Sequence, residues 1–310
     1  VTDATASALS APASTDAAPV RQFISDLGLP GLIDLHVHFL PPPIEKAVWR
    51  EFDGAGELIG RPWPIRYRGS AEERVGFLRA AGVRHFSTLP YAHKPGVADF
   101  LNGWSAEFAA TVPEALRSAT LYPEPEAATY VPRLIADGVR IFKAHLQVGG
   151  FHLDDPLLDP AWGGLAEAGT PIMVHAGSGP VGTSYTGPES TARVLARHPR
   201  LRLVVAHMGA PECAEFVALA ERYDEVRLDT SMAFTPFFAD DDHGHGGFPH
   251  DLVSRMADLQ DRVVWGSDFP TLPFGYADQL GWLAELGLGE EWLRDVCWHN
   301  AARLLGVGAA

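Results

Sequence analysis

Short apolar runs alternate along this chain with stretches whose apolar residues recur every three or four positions. Eight runs read as strands, at 32–39, 83–90, 118–122, 139–146, 171–176, 201–208, 225–231 and 262–267. The sixth, Leu201-Arg202-Leu203-Val204-Val205-Ala206, is almost continuously apolar, as expected of a parallel strand covered on both faces. Helical spacing predicts helices over 71–81, 125–137, 157–168, 189–198, 211–223, 250–259 and 277–286, and a last one over 290–305. The first of these carries Val75 and Leu78 on one side and stops at Gly82, a residue suited to a left-handed exit. Pro211 stands in the first turn of another, where its missing N–H leaves no bond unmade.

Eight strands, each followed by a helix or a long crossover, predict an α/β fold: a single (β/α)8 TIM barrel with its catalytic site at the C-terminal ends of the strands. An open, doubly wound sheet is the alternative. It is weakened by the lack of a Gly-x-Gly-x-x-Gly loop after the first strand. The segment 41–70, rich in Pro, Gly and Arg, is expected to lie irregularly over the barrel mouth, and 234–249 reads as a mobile loop after the seventh strand. Residues 1–22, dominated by Ala, Ser, Thr and Pro, are expected to form a disordered tail, leaving 23–310 as one barrel domain.

Candidate chemistry follows from which strands end in reactive side chains. His36 and His38 are two residues apart, so an extended strand turns both to one face. The fourth run ends in Lys143-Ala144-His145, the fifth in His175, the sixth in His207 and the eighth in Asp268. Five of the 13 histidines therefore fall at strand ends, where a barrel of this class builds its site. Neutral imidazoles with a carboxylate suit Zn²⁺, Mn²⁺ or Fe²⁺, and three or four such ligands leave room for water. An ion of this kind lowers the pKa of water toward about 7. Asp268 is placed to orient that water and take its proton, and His207 to hydrogen-bond the water or polarise the substrate.

Composition narrows the partners. With 46% apolar and 20% charged residues the chain buries a large core, which excludes global disorder. Lys and Arg total 24 against 39 Asp and Glu, a formal charge of -15, which opposes binding to nucleic acid or to an anionic membrane. No apolar stretch is long enough to span a bilayer, and the opening segment has neither the cationic nor the apolar part of a secretory signal. A cytoplasmic protein acting on a small molecule is expected, and a homo-oligomer is compatible with the sequence. Cys213 and Cys297 form no CxxC pair and read as small core hydrophobes.

Taken together, these segments resemble the amidohydrolase superfamily, in particular its amidohydrolase-2 branch related to aminocarboxymuconate-semialdehyde decarboxylase. The resemblance rests on His36-Val37-His38, Phe142-Lys143-Ala144-His145, Met173-Val174-His175-Ala176-Gly177, Val205-Ala206-His207-Met208-Gly209, Gly266-Ser267-Asp268-Phe269-Pro270 and the closing Asn300-Ala301-Ala302-Arg303-Leu304-Leu305. It spans roughly residues 31–306. It implies that His36, His38, His175 and Asp268 hold a divalent ion, Zn²⁺ first with Mn²⁺ or Fe²⁺ as alternatives, and that His207 acts beside it. In two-metal relatives a lysine at the end of the fourth strand is carboxylated and bridges the ions, a role open to Lys143; the branch itself favours one ion over two. His145 is then a substrate or metal contact, and Arg61, Arg66 and Arg68 are candidate clamps for a substrate carboxylate.

The leading functional expectation is a metal-dependent hydrolase acting on an ester, lactone or amide bond of a small organic acid or ring compound. The alternative within the same branch is non-oxidative decarboxylation of an unsaturated or aromatic carboxylic acid. A non-catalytic barrel that binds a metal or small ligand is the third reading, opposed by the presence of Asp268 beside a full set of ligands.

Overall fold

The eight apolar runs form eight parallel strands: β1 (Leu32–Asp34), β2 (Val83–Phe86), β3 (Ser118–Thr120), β4 (Ile141–His145), β5 (Ile172–His175), β6 (Leu203–Val205), β7 (Val226–Asp229) and β8 (Val263–Val264). The computed structural model describes residues 11–238 and 247–308. β3 to β8 pair in sequence order as one six-stranded sheet, and β1 pairs with β2. Isolated parallel pairs, Phe86 with Ala115 and Val37 with Phe269, span the two seams. Across them Leu116 N donates to Phe86 O at 2.7 Å and His38 N to Phe269 O at 2.7 Å. The order and direction are those of a (β/α)8 TIM barrel.

The ladders are shorter than the apolar runs for a chemical reason. Beyond Asp34 two backbone amides turn to side chains, His36 N to Asp34 Oδ1 at 3.1 Å and Val37 N to Ser87 Oγ at 3.1 Å, while Leu35 N, His38 N and Phe39 N keep backbone partners. Polar side chains thus take over part of the backbone bonding at the strand ends. Leu32, Ile33, Phe142, Met173 and Val204 are fully buried in the barrel wall.

Parallel pairing needs a crossover after each strand, and helices supply most of them. Ala71–Ala81 begins with a capping box in which Ser70 Oγ accepts from Glu73 N at 3.2 Å and Glu73 Oε2 from Ser70 N at 2.7 Å. It ends at Gly82, whose φ of 88° is the left-handed exit expected. The closing segment 290–305 is helical throughout, with a π turn at Asp295–His299.

Three segments depart from expectation. Pro42–Ile59, expected as irregular cover, is an 18-residue helix. Its prolines occupy the first turn, where no intrahelical N–H is needed, so they start the helix instead of breaking it. Ala11–Asp26, which overlaps the expected disordered tail of 1–22, is a helix whose Ala17, Val20 and Ile24 are buried. It is tied down by Asp16, whose Oδ2 accepts from Tyr276 N at 2.6 Å. Ala98–Thr111 is a further helix, between β2 and β3. Residues 1–10 of the tail and 239–246 of the loop after β7 lie outside the described residues. Cys213 and Cys297 are both free and buried.

Candidate metal centre and catalytic site

β1 hands its chain to His36 and His38, whose Nε2 atoms face each other at 3.1 Å. Asp268, just past β8, brings Oδ1 to 3.1 Å from His38 Nε2 and 3.4 Å from His36 Nε2. Hydrogen bonds on the far side of each ring fix where the protons are. His38 Nδ1 lies 2.9 Å from Leu89 O, which only accepts, so Nδ1 carries the proton and Nε2 a lone pair. His36 Nδ1 lies 2.6 Å from Asp229 Oδ2, with the same result. Three electron-rich atoms therefore converge with no proton between them. Such a cluster repels itself unless a cation joins it, so the donor set fits a divalent ion of the imidazole- and carboxylate-preferring kind.

Behind this set is a hydrogen-bonded support that the sequence analysis missed. Asp229 ends β7 and is fully buried. Ser231 Oγ donates to its Oδ2 at 2.5 Å and lies 3.0 Å from His36 Nδ1 and 2.8 Å from His207 Nδ1. His207 Nδ1 also lies 3.1 Å from Ser231 O, so its proton sits there and Nε2 is an acceptor. A carboxylate at the end of a strand was the usable signal for Asp229, the same one that exposed Asp268. His36, His207 and Asp229 form a second cluster of donors, but its hydrogen bonds already use the protons of both rings. It orients the first cluster.

The remaining candidates take different places. Parallel register sets His145 opposite His175, and their rings stack at 4.0 Å. His175 belongs to neither donor cluster, because its Nε2 is turned to Gly179 O at 2.9 Å. It packs edge-on against His207 at 4.8 Å instead. His145 Nδ1 accepts from Val148 N at 3.4 Å, so this ring lines the cavity beside Tyr91 rather than the three-donor set. Lys143 is fully buried, with Nζ 3.3 Å from His36 Nε2.

Burial governs the charges. It holds His36, His145 and His175 well below the usual histidine range and lowers His207 as well, so burial favours the neutral form of these rings. It brings Lys143 down to about 8, against the pull of Asp268 and Asp229. Burial alone would raise Asp268; its close contact with His38 and the neighbouring His36 and His207 outweigh that and keep this carboxyl far below the ordinary carboxylate range. Asp34, which accepts from Ser267 Oγ at 2.6 Å and Tyr276 OH at 2.7 Å, is pushed up to about 7 by its burial.

The two reactive candidates are among the few described non-glycine residues with positive φ. His207 has φ 55° and Asp268 φ 65°, both left-handed, a conformation that costs a residue with a side chain about 1–3 kcal/mol. The surrounding packing must hold them there. Gly266 explains part of how: a Cβ at that position would lie 2.0 Å from Asp229 Oδ1 and 2.6 Å from His36 Cβ. Only glycine lets the chain just past β8 come this close to the support of His36.

These groups open into a cavity of about 430 Å³. His36, His38, Lys143, His175, His207 and Asp268 line its floor. The helix Pro42–Ile59 and Trp63 form one wall, and Trp63 is held by its Nε1 donating to Thr271 O at 2.6 Å. The expected arginine clamp does not form. The guanidinium of Arg61 donates to Phe237 O and lies 5.3 Å over the Phe237 ring, and Arg68 pairs with Asp53. Arg66 is exposed, and none of the three lines the cavity. Nearby carbonyl, aromatic and carboxylate groups outside the cavity compete for these cations.

A family model described as Amidohydrolase matches residues 33–307. Among solved structures, an uncharacterised TIM-barrel protein from Bordetella bronchiseptica is 21% identical, with 89% of this chain and 98% of that one covered and a TM-score of 0.70. A 5-carboxyvanillate decarboxylase from Novosphingobium aromaticivorans, complexed with manganese, is 14% identical over 89% of this chain and 96% of that one, with a TM-score of 0.61. A probable 2-pyrone-4,6-dicarboxylic acid hydrolase from Acinetobacter baumannii is 14% identical over 89% and 100%, with a TM-score of 0.59. At these identities the likeness is one of fold. No curated protein matches the chain. Among the described residues no helix is long and apolar enough to cross a membrane.

Proposed function

Because the chain belongs to the amidohydrolase family and is an enzyme of that superfamily, we propose that it is a hydrolase dependent on one divalent ion, acting on an ester, lactone or amide bond of a small molecule. The observation that carries this reading is the convergence of His36 Nε2, His38 Nε2 and Asp268 Oδ1, all electron-rich, on the floor of a cavity. Zn²⁺ or Mn²⁺ bound there would supply a Lewis acid and a lowered pKa for water. One ion is favoured over two because the only other donor cluster among the described residues shares His36 and is held together by its own protons.

The chain's own groups do the rest. Asp268, steadied by Thr271 Oγ at 3.0 Å from its Oδ2, takes the proton of the attacking water and returns it to the leaving group. His207, whose Nδ1 proton is committed to Ser231 O, offers a lone pair at Nε2. It therefore accepts a hydrogen bond from water, one of the two roles expected of it. Lys143, a cation inside the cavity, faces the negative charge that develops on the substrate. His175 supports His207 by packing and remains a candidate ligand only if its ring turns from Gly179.

Lys143 also favours one second reading. A buried ammonium beside the ligand set suits a substrate carboxylate, as in a decarboxylase of an unsaturated or aromatic acid. The test loads the protein with Zn²⁺ or Mn²⁺, counts metal by elemental analysis, and assays activated esters and lactones beside aromatic and unsaturated acids. Hydrolysis with one ion per chain, lost on chelation and restored by metal, is the expected result. Release of CO₂ without ester cleavage would move the assignment to the second reading, and no turnover of any kind would leave a binding barrel.

A further inference from the structure

The cavity above the metal centre has a chemical character of its own. One wall is a single face of the helix Pro42–Ile59, where Val48, Phe52, Ala55 and Ile59 recur at helical spacing. Val181, Met232 and Phe238 also line it, from other parts of the chain. The rim is apolar too: Leu58 is 68% exposed and Val148 43% exposed, large aliphatic side chains left open where the cavity meets solvent.

Charge is scarce there. Apart from the ligand carboxylate of Asp268, the charged residues among those lining the cavity are Lys143 on the floor and Glu51 on the helix wall. No described arginine lines it, because Arg61 and Arg68 are engaged elsewhere and Arg66 is exposed. A second ionised carboxylate on a ligand would therefore meet mostly apolar side chains and the like charge of Glu51, with no lining cation besides Lys143 among the described residues to replace its water.

We infer that this site takes substrates whose part remote from the reacting bond is uncharged and apolar, an aryl or alkyl group, and that it rejects compounds carrying a carboxylate on that part. The inference rests on reading the cavity as the substrate site of the metal centre. Val48, Phe52 and Phe238 then grip the apolar group, and Glu51 acts as the excluding charge.

The test uses ligands that do not turn over and whose metal-binding group is constant: benzohydroxamate, 4-butylbenzohydroxamate and 4-carboxybenzohydroxamate, titrated calorimetrically into the Zn²⁺-loaded full chain. Each methylene buried against the walls is worth about fourfold in affinity, so the butyl compound should bind at least about tenfold tighter than the parent. The carboxylated compound should bind about tenfold weaker than the parent. Glu51→Lys should narrow that last gap at least about threefold while the butyl preference persists. A carboxylated ligand that binds as tightly as the parent, or a butyl group that brings no gain, would overturn the inference. Its fate is separable from that of the hydrolase reading: a protein inert toward esters that keeps this ranking refutes the reaction alone, and an active esterase that prefers the carboxylated ligand refutes the substrate class alone.

Discussion

Asp229 Oδ2 lies 2.6 Å from His36 Nδ1, and this one contact decides which nitrogen of His36 faces the site. With the proton drawn toward Asp229, the lone pair at Nε2 points at His38 and Asp268. Such partners behind a ligand histidine typically contribute 10- to 100-fold in metal affinity. Asp229→Asn should therefore raise the metal dissociation constant by about that factor. Competition against a chelating dye measures it; an unchanged constant would remove Asp229 from its orienting role.

Asp268→Asn separates proton transfer from backbone geometry. Asparagine tolerates the left-handed conformation at φ 65°, so the fold should be kept. The amide is no base, and kcat should fall by about 10²- to 10⁴-fold. Steady-state turnover at saturating metal is the measurement, with circular dichroism as the control for folding.

Lys143→Met tests the number of ions. If Lys143 acts as a buried cation beside His36, metal content stays at one per chain and kcat drops at least about tenfold, as for loss of one electrostatic contact in a dry site. Elemental analysis of wild type and variant side by side reads the outcome. A fall from two ions to one would instead identify Lys143 as a carboxylated bridge.

Gly266→Ala should be among the most damaging small substitutions in the molecule. The new methyl would sit 2.0 Å from Asp229 Oδ1 and 2.6 Å from His36 Cβ, neither of which has room to withdraw. Overpacking of this kind costs about 1–3 kcal/mol or more, and here it also displaces His36. Urea unfolding of the metal-free protein should show the loss, and metal titration should show weakened binding. A variant with wild-type values in both would mean that β8 shifts freely.

Much of the barrel was legible because parallel strands must be apolar and strand ends must carry the chemistry. His36, His38, Lys143, His207 and Asp268 come together as that rule implies. What was not legible depends on direction. Nothing in the sequence around His175 says that its Nε2 turns to Gly179, or that Arg61 lies over Phe237 instead of the cavity. The helix Pro42–Ile59 was hidden by its prolines and by Gly54 and Gly56, which lower helix propensity; burial of Ala55 and Ile59 compensates. The run holding Asp229 reads as a strand, but nothing within it shows that its terminal carboxylate meets His36.

The left-handed backbone at His207 and Asp268 sets thermal endurance against turnover. On the proposed mechanism, glycine at either position would relax the chain locally and remove a group that handles protons. A library of this protein selected for heat tolerance alone would drift toward glycine or asparagine at 207 and 268, and its hardiest survivors would be inert.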